Sequence, residues 1–332
     1  MSFQPIQIIL VIVAGVFAGT ALLPMKWAKG WQFANIWLIY SVVAYLLSPW
    51  LIALVTVPNL AQVYSSAGAQ ACILTALSGL GWGLAVVLNG IGVAMIGLSL
   101  ASAILMGSSI ALGSLLPLFL TDPRQLQTRT GLAIVILGLV MLSGVLLCAR
   151  AGQLREPRAA ASGQGAAVTR GILICFLAGC LSTLFNVALT YGQVIARQAV
   201  AQGASVPNST NAIWALAVSA GSLPSILLCI TSLSRERQWS LYPTSFNRNA
   251  GFCMLMAFMW ITGTVIYGAA SSLLGKLGTA IGWPIYMSGI ILTSSFWGWV
   301  TGEWRGVRGA PVRLMLGGIG VQVLAIVALS RI

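Results

Sequence analysis

Neutral polar and aromatic side chains recur at helical spacing inside apolar stretches of the sequence. Trp82 and Asn89 are seven residues apart and therefore lie on one face of a helix. Trp260 and Tyr267 repeat that spacing in a later stretch. Amides, hydroxyls and aromatic faces without fixed charge suit an uncharged, hydroxyl-rich ligand such as a sugar. Four such faces supply the candidate binding residues, which are Trp82, Asn89, Asn186, Gln193, Trp260, Tyr267, Trp283 and Tyr286.

Acidic and metal-ligating side chains are nearly absent. The chain has four acidic residues and no histidine, and its six cysteines show no CxxC spacing. The acids lie at the ends of apolar stretches or in polar connections, and they are Asp122, Glu156, Glu236 and Glu303. Acid–base catalysis and a zinc or haem site therefore have almost no side chains to use. The sequence predicts no enzyme, no metal and no cofactor.

The elements that position these residues are helices in a lipid bilayer. Hydrophobic residues make up 58% of the chain and charged residues 6%, whereas soluble domains are about 25% charged. A spanning helix needs about 20 apolar residues, and residues 30–121 contain no charged side chain. We predict an all-α integral membrane protein with ten transmembrane helices, at 5–24, 33–56, 70–90, 97–120, 129–149, 171–195, 210–233, 250–272, 277–300 and 313–330.

Two interpretations of the polar faces remain open. Asn, Thr and Tyr within membrane helices also hydrogen-bond between helices and hold a bundle together. Trp and Tyr near the ends of spans also anchor helices at the membrane surface. Packing explains each residue taken alone, whereas the recurrence of matching faces favours a shared cavity.

A polar connection near mid-chain divides the predicted spans into two sets of five. We predict a first repeat at residues 1–150, a cytoplasmic linker at 151–170 and a second repeat at 171–332. Because each half has an odd number of spans, the halves enter the membrane from opposite sides, as in many secondary transporters. A shift of 178 residues aligns Trp82 with Trp260 and Asn89 with Tyr267, which favours an inverted duplication.

The distribution of Lys and Arg predicts the orientation in the membrane. The first, third, fifth, seventh and ninth connections carry twelve of the 17 basic residues, and the opposite side carries five. The positive-inside rule places the richer side in the cytoplasm and both termini on the outer side of the membrane. The net charge of +13 arises from this clustering in short connections, so we expect no nucleic-acid partner.

Four segments resemble a family of sugar transporters. They read ARAGQLRE at Ala149–Glu156, PWLIALVTVPNL at Pro49–Leu60, GWG at Gly81–Gly83 and GEWRG at Gly302–Gly306. Together they are similar to the L-rhamnose–proton symporter family of the drug/metabolite transporter superfamily. The resemblance implies ten helices in two inverted repeats, a bacterial inner-membrane location and uptake of L-rhamnose or a related neutral sugar by alternating access.

The coupling ion is where the residues and the resemblance differ. A proton symporter needs a group that titrates, and the predicted spans contain no carboxylate and no histidine. The residues therefore predict facilitated diffusion, or Na⁺ held by neutral oxygens at broken helices. Hydroxyls for such a site come from Ser108, Ser109, Thr293, Ser294 and Ser295. If H⁺ is the coupling ion, Glu303 is the candidate, next to Arg305 at the cytoplasmic boundary.

Other function classes fit the sequence less well. An exporter of another small metabolite would share the predicted architecture and is the nearest alternative. An intramembrane enzyme would normally carry histidine or paired acids inside its spans, and this chain has neither there. A receptor would bring a sizeable soluble domain, for which no connection is long enough.

The predicted orientation can be tested with fusions at the C-terminus. Because the basic residues place that end in the periplasm, a C-terminal alkaline phosphatase fusion should be active and a green fluorescent protein fusion dark. The measurement is enzyme activity and fluorescence per amount of expressed fusion. A dark phosphatase with a bright fluorescent protein would reverse the orientation.

Overall fold

The computed structural model describes residues 5–121, 123–155, 166–275, 278–329 and 331. Within these ranges the chain forms helices and no strand. Nine of the helices described there are long and apolar enough to cross a membrane. Asp122 and Glu156, with residues 157–165 of the predicted linker, lie outside the described residues.

The long helices agree in order and place with the predicted spans. They are α1 (Pro5–Thr20), α2 (Phe33–Thr56), α3 (Ala69–Ile96), α4 (Leu98–Thr121), α5 (Arg129–Arg155), α6 (Val168–Ala201), α7 (Asn211–Arg235), α8 (Phe246–Leu273), α9 (Gly278–Val300) and α10 (Ala310–Leu329). Short helical segments connect several of them, at Leu23–Trp27, Leu60–Ala67, Pro123–Gln127 and Gln238–Leu241.

Helix α9 differs from the others in the surface it presents. It has 23 residues and occupies the predicted ninth span, but it is not among the nine helices that are apolar enough to cross a membrane by composition. Fourteen of its residues are buried, including Trp283, Tyr286 and Ser288. Helices α1, α4, α5, α6, α8 and α10 contact it. Trp283, Tyr286 and Ser288 therefore face protein, whereas Phe296 and Trp299 near its end are exposed.

Helix pairs approach closely at glycines with four-residue spacing. The spacings of Gly15 with Gly19 and Gly79 with Gly83 predict close backbone contact. A Cβ atom at Gly15 would lie 2.8 Å from the Cα atom of Gly289 in α9. A Cβ atom at Gly83 would overlap the carbonyl oxygen of Gly221 in α7. The prediction of close packing is confirmed for the pairs α1–α9 and α3–α7.

Two helices are interrupted near the middle. Helix α2 contains a π-helical segment, Val42–Leu47, directly before the proline of its last segment, Ser48–Thr56. Proline lacks an N–H and clashes with the carbonyl one turn earlier, and a wider π turn accommodates both effects. Helix α6 is broken at Thr183 and at Gly192. The hydroxyl of Thr183 donates to the carbonyl of Cys180 at 2.7 Å, just before Phe185 and Asn186.

Helix α5 extends into the segment predicted as the linker. Helix α5 continues through Ala151 and Gly152 to Arg155, beyond the predicted end at 149. The extension is helical because Ala151 is fully buried in a small apolar cluster with Cys148, Trp304 and Met315. Residues 151–155 of the predicted linker therefore continue α5.

The glycine contact between α3 and α7 predicts a position-specific loss of stability. We expect Gly83→Ala to lower the melting temperature, because the new methyl group overlaps the backbone of Gly221 and must separate the helices. Gly90→Ala in the same helix is the control, since a Cβ atom there meets nothing within 4 Å. Alanine also favours a helix interior by about 1 kcal/mol over glycine. Equal melting temperatures for the two purified variants would contradict the contact.

Candidate functional site

Aromatic rings from six helices meet inside the bundle. Trp82 of α3 and Trp260 of α8 stack with ring centroids 5.6 Å apart and planes at 23°. Tyr45 of α2 contacts both indoles edge-on, at 5.2 and 4.6 Å. Phe185 of α6 contacts Trp82 at 5.1 Å and stacks on Trp214 of α7 at 4.6 Å.

The same group of rings continues onto α8 and α9. Tyr267 and Tyr286 stack with centroids 4.6 Å apart and planes at 24°. Trp283 contacts each of them, at 6.0 and 6.1 Å, and lies 6.0 Å from Phe185. We call these eight rings the aromatic cluster: Tyr45, Trp82, Phe185, Trp214, Trp260, Tyr267, Trp283 and Tyr286. All are buried except Trp260, which is half-buried.

Asn186 joins four helices at the edge of the aromatic cluster. Its amide nitrogen donates to the carbonyls of Gly113 in α4 and Thr279 in α9, at 2.8 and 2.9 Å. Its amide oxygen accepts a hydrogen bond from the hydroxyl of Tyr267 in α8 at 2.6 Å. The residue itself belongs to α6 and is 0% exposed. Both N–H groups of this amide are used, so a ligand can accept from it only by replacing a bond, although the oxygen keeps a second lone pair.

Trp283 is fixed against α4. Its indole N–H donates to the carbonyl of Ser109 at 2.9 Å. A Cβ atom at Gly113 would overlap the indole ring, so the glycine makes room for it. The nearby hydroxyls of Ser109 and Ser288 are buried without a hydrogen-bond partner among the described residues. At the α4–α9 contact, the Trp283 indole is therefore closely packed and hydrogen-bonded, whereas two serine hydroxyls have no hydrogen-bond partner among the described residues.

A cavity of about 370 Å³ lies towards the C-terminal ends of α5 and α9, near Lys26 and Arg155. Helices α4, α5, α9 and α10 form its walls. Most of its lining is apolar, and the polar part comes from Ser102, Arg155, Ser294, Ser295 and Glu303. None of the eight predicted binding residues lines this cavity, whereas Glu303 does.

Glu303 is held by two cations at the mouth of the cavity. It forms ion pairs with Lys26, which follows α1, and with Arg155 at the end of α5, the latter at 3.1 Å. The hydrogen bond from Lys26, with that from Arg155, lowers the pKa of the Glu303 carboxyl below its usual value. The carboxylate therefore stays ionised at neutral pH while these partners remain in place. Its side chain is 38% exposed, so water screens both pairs.

Comparison with known proteins identifies the family. The family model described as L-rhamnose-proton symport protein (RhaT) matches residues 4–331. The chain belongs to the RhaT family. The L-rhamnose-proton symporters of Citrobacter koseri and Escherichia coli are each 24% identical to it over 310 residues, which cover 91% of this chain and 90% of theirs.

Membership of the RhaT family decides between the function classes that the sequence left open. The family consists of membrane transporters of sugar with protons, and not of enzymes. The nine apolar helices in the described part of the chain agree with a multi-pass membrane protein. The exporter, the enzyme and the receptor are not favoured.

The structure brings together six of the eight predicted binding residues. Five are members of the aromatic cluster, and Asn186 bonds to Tyr267 within it. Asn89 lies two turns along α3 from Trp82, with its side-chain oxygen buried and unbonded among the described residues. Gln193 donates to the carbonyl of Leu189 in its own helix at 3.1 Å. Binding of substrate by any of the eight stays a prediction.

Sequence reasoning missed Tyr45, Phe185 and Trp214. The spacing signal is absent for Tyr45, because the π segment changes which residues of α2 share a face. Its hydroxyl lies 3.3 Å from that of Tyr40, five residues earlier. Phe185 could have been found from its position directly before Asn186, which is one of the predicted binding residues.

Glu303 takes its ion-pair partners from outside its own turn. Arg305 does not pair with it in the structure, because the turn at Gly302 has a positive φ of 83° and the Arg305 side chain returns over that glycine. The paired cations come from distant parts of the sequence, and no spacing rule predicts them.

The hydrogen bonds of Asn186 to three other helices predict that replacing it with a residue of similar shape lowers the stability of the folded protein. In Asn186→Leu, two buried carbonyls and the Tyr267 hydroxyl lose their partner, and each unsatisfied group costs about 1–3 kcal/mol. We expect a clear fall in melting temperature in detergent. Gln193→Leu is the matched control, because its amide bonds only within its own helix. A melting temperature for Asn186→Leu equal to that of the control would contradict the junction.

Proposed function

We propose that this protein takes up L-rhamnose or a closely related neutral sugar across a bacterial inner membrane by alternating access. The observation that carries the proposal is the match of the RhaT family to residues 4–331. The chemistry of the bundle supports it, since the aromatic cluster and Asn186 offer rings and an amide without a fixed charge. Such groups suit a sugar better than an ionic metabolite.

We propose further that the helices form two inverted five-helix repeats, as the resemblance to the drug/metabolite transporter superfamily implies. Helix α1 contacts α8 and α9, and the equivalent helix α6 contacts α3 and α4. Helices α4 and α9 contact each other, as do α5 and α10. These contacts are those expected of a pseudo-twofold axis. The stacking of Trp82 on Trp260, which are equivalent in the sequence alignment of the halves, supports the same axis.

On the proposed orientation, with both termini in the periplasm, the conformation opens towards the cytoplasm. The cavity lies at the ends of α5 and α9, beside Lys26 and Arg155. The aromatic cluster extends from the middle of α3 and α8 towards the opposite side, where Trp283 lies in the second turn of α9. The contacting rings close the periplasmic half of the protein. Opening that half requires the stacked rings of α6, α8 and α9 to separate.

We propose the proton as the coupling ion, because the relatives are named as proton symporters. Of the described acids, Glu236 is exposed at the end of α7 and Glu303 lies at the cavity. Lys26 and Arg155 lower the pKa of Glu303, so it binds a proton only when these cations move away. Such a movement of α1 and α5 relative to the α9–α10 connection would link protonation to conformation.

Uptake into proteoliposomes under an imposed pH gradient tests the function and its coupling. The wild type should accumulate L-rhamnose when protons flow inward, without Na⁺. Glu303→Gln cannot titrate, and we expect it to lose accumulation while it still equilibrates labelled sugar across the membrane. Glu236→Gln is the control, because it removes the other described carboxylate, which is exposed at the end of α7, and should retain accumulation.

Three results would overturn parts of the proposal. No uptake of any neutral sugar would contradict the function. Accumulation driven by Na⁺, or equilibration alone in the wild type, would support coupling through neutral oxygens or facilitated diffusion instead. Proton-driven accumulation that survives Glu303→Gln would remove Glu303 from the coupling step.

A further inference from the structure

We infer that the cavity beside Glu303 is a second sugar subsite, separate from the aromatic cluster. This subsite holds an uncharged pyranose between the centre of the protein and the cytoplasm. The inference rests on the proposed function. It adds a site whose lining contains none of the eight predicted binding residues. Its volume of about 370 Å³ falls within the roughly 300–1,000 Å³ typical of small-molecule sites.

The charges in the cavity wall favour a neutral ligand. Arg155 and Glu303 both line the cavity, and their opposite charges lie 3.1 Å apart. Within the lining, an anion would meet the carboxylate and a cation the guanidinium, and Lys26, the second partner of Glu303, does not line the cavity. A pair of neighbouring sugar hydroxyls can donate to the carboxylate and accept from the guanidinium, which gives charge-assisted hydrogen bonds to both.

The apolar part of the cavity suits the carbon surface of a sugar. Met106, Ile291 and Met315 belong to its wall, and Trp304 forms part of its mouth. The indole of Trp304 is held in place, because the Arg155 guanidinium lies 5.1 Å from its centroid and Trp299 stacks on it at 5.8 Å. A wall held in this way needs little reordering when a ligand binds.

The cavity lies next to the aromatic cluster along α4 and α9. Met106, at its inner end, is one helical turn before Ser109, whose carbonyl accepts the hydrogen bond from Trp283. On α9, Ile291 follows Tyr286 by five residues. A sugar released from the cluster would therefore enter this space on its way to the cytoplasm.

Cys148 reports directly on occupancy, since it lines the cavity. The test uses the full chain with the other five cysteines replaced by serine, and measures alkylation of Cys148 by N-ethylmaleimide in lipid nanodiscs. L-rhamnose should slow alkylation at least about fivefold, and its anionic relative L-rhamnonate should not. Ser295→Cys, at another wall position, provides a second probe in case the Cys148 thiol reacts too slowly.

Matched variants separate the subsite from the ion pairs around it. Arg155→Gln and Lys26→Gln each remove one cation from Glu303, but only Arg155 lines the cavity. We expect the protection by L-rhamnose to weaken about fivefold in Arg155→Gln, the value of one lost hydrogen bond, and to persist in Lys26→Gln. Gly298→Leu, which fills the mouth, should abolish protection, whereas Gly317→Leu on the exposed side of α10 should not.

The outcomes distinguish this inference from the proposed function. Transport of L-rhamnose without protection of either cysteine would overturn the subsite and leave the function intact. Protection that persists in both Arg155→Gln and Gly298→Leu would also overturn it, as would stronger protection by L-rhamnonate. Protection without transport would support the subsite and contradict uptake.

Discussion

A side-chain amide in the interior of this bundle has no water to bond, so its partners must come from the protein. Asn186 meets this requirement with groups from three other helices. The break of α6 at Thr183 precedes the asparagine, and α9 presents the carbonyl of Thr279 to it. One carboxamide thus bonds α4, α6, α8 and α9 together, and α6, α8 and α9 carry five of the eight rings of the aromatic cluster.

Close backbone contacts elsewhere allow these helices to move as units. Glycines bring the backbones of α1 and α9, and of α3 and α7, into close contact, which is a packing mode typical of membrane helices. The Thr20 hydroxyl and the Trp297 indole add a hydrogen bond of 2.9 Å between α1 and α9. Smooth contacts of this kind suit rocking of one helix group against another, which alternating access requires.

The charged groups are placed where changing partners costs little. Lys26, Arg155 and Glu303 meet at the membrane boundary, and the first and last of these are 43% and 38% exposed. Exposed ion pairs contribute only about 0–1 kcal/mol each, so they can separate and re-form during a transport cycle. The same three charges buried at the bilayer centre would cost several kcal/mol each. A chain with four acidic residues thereby keeps a titratable group near the proposed substrate path without placing it in lipid.

Much of the fold follows from the sequence because lipid imposes a simple rule, that spans are apolar and about 20 residues long. That rule located the long helices, and helical spacing placed Trp82 and Trp260 on faces that the structure stacks together. Helix ends were less predictable, since α5 extends to Arg155 only because Ala151 finds an apolar cluster with Trp304. The polarity of α9 could not show that six other helices contact it.

Other parts of the site were decided by tertiary structure alone. Tyr45 reaches the cluster through a π turn, and spacing rules assume a regular helix. Glu303 takes its partners from residues 277 positions earlier and 148 positions earlier, whereas its neighbour Arg305 is turned away by the backbone at Gly302. The sequence by itself determined which groups are present and which face of a helix each occupies. The folded bundle decided which of them meet, because contacts between distant segments depend on how whole helices pack and not on local spacing.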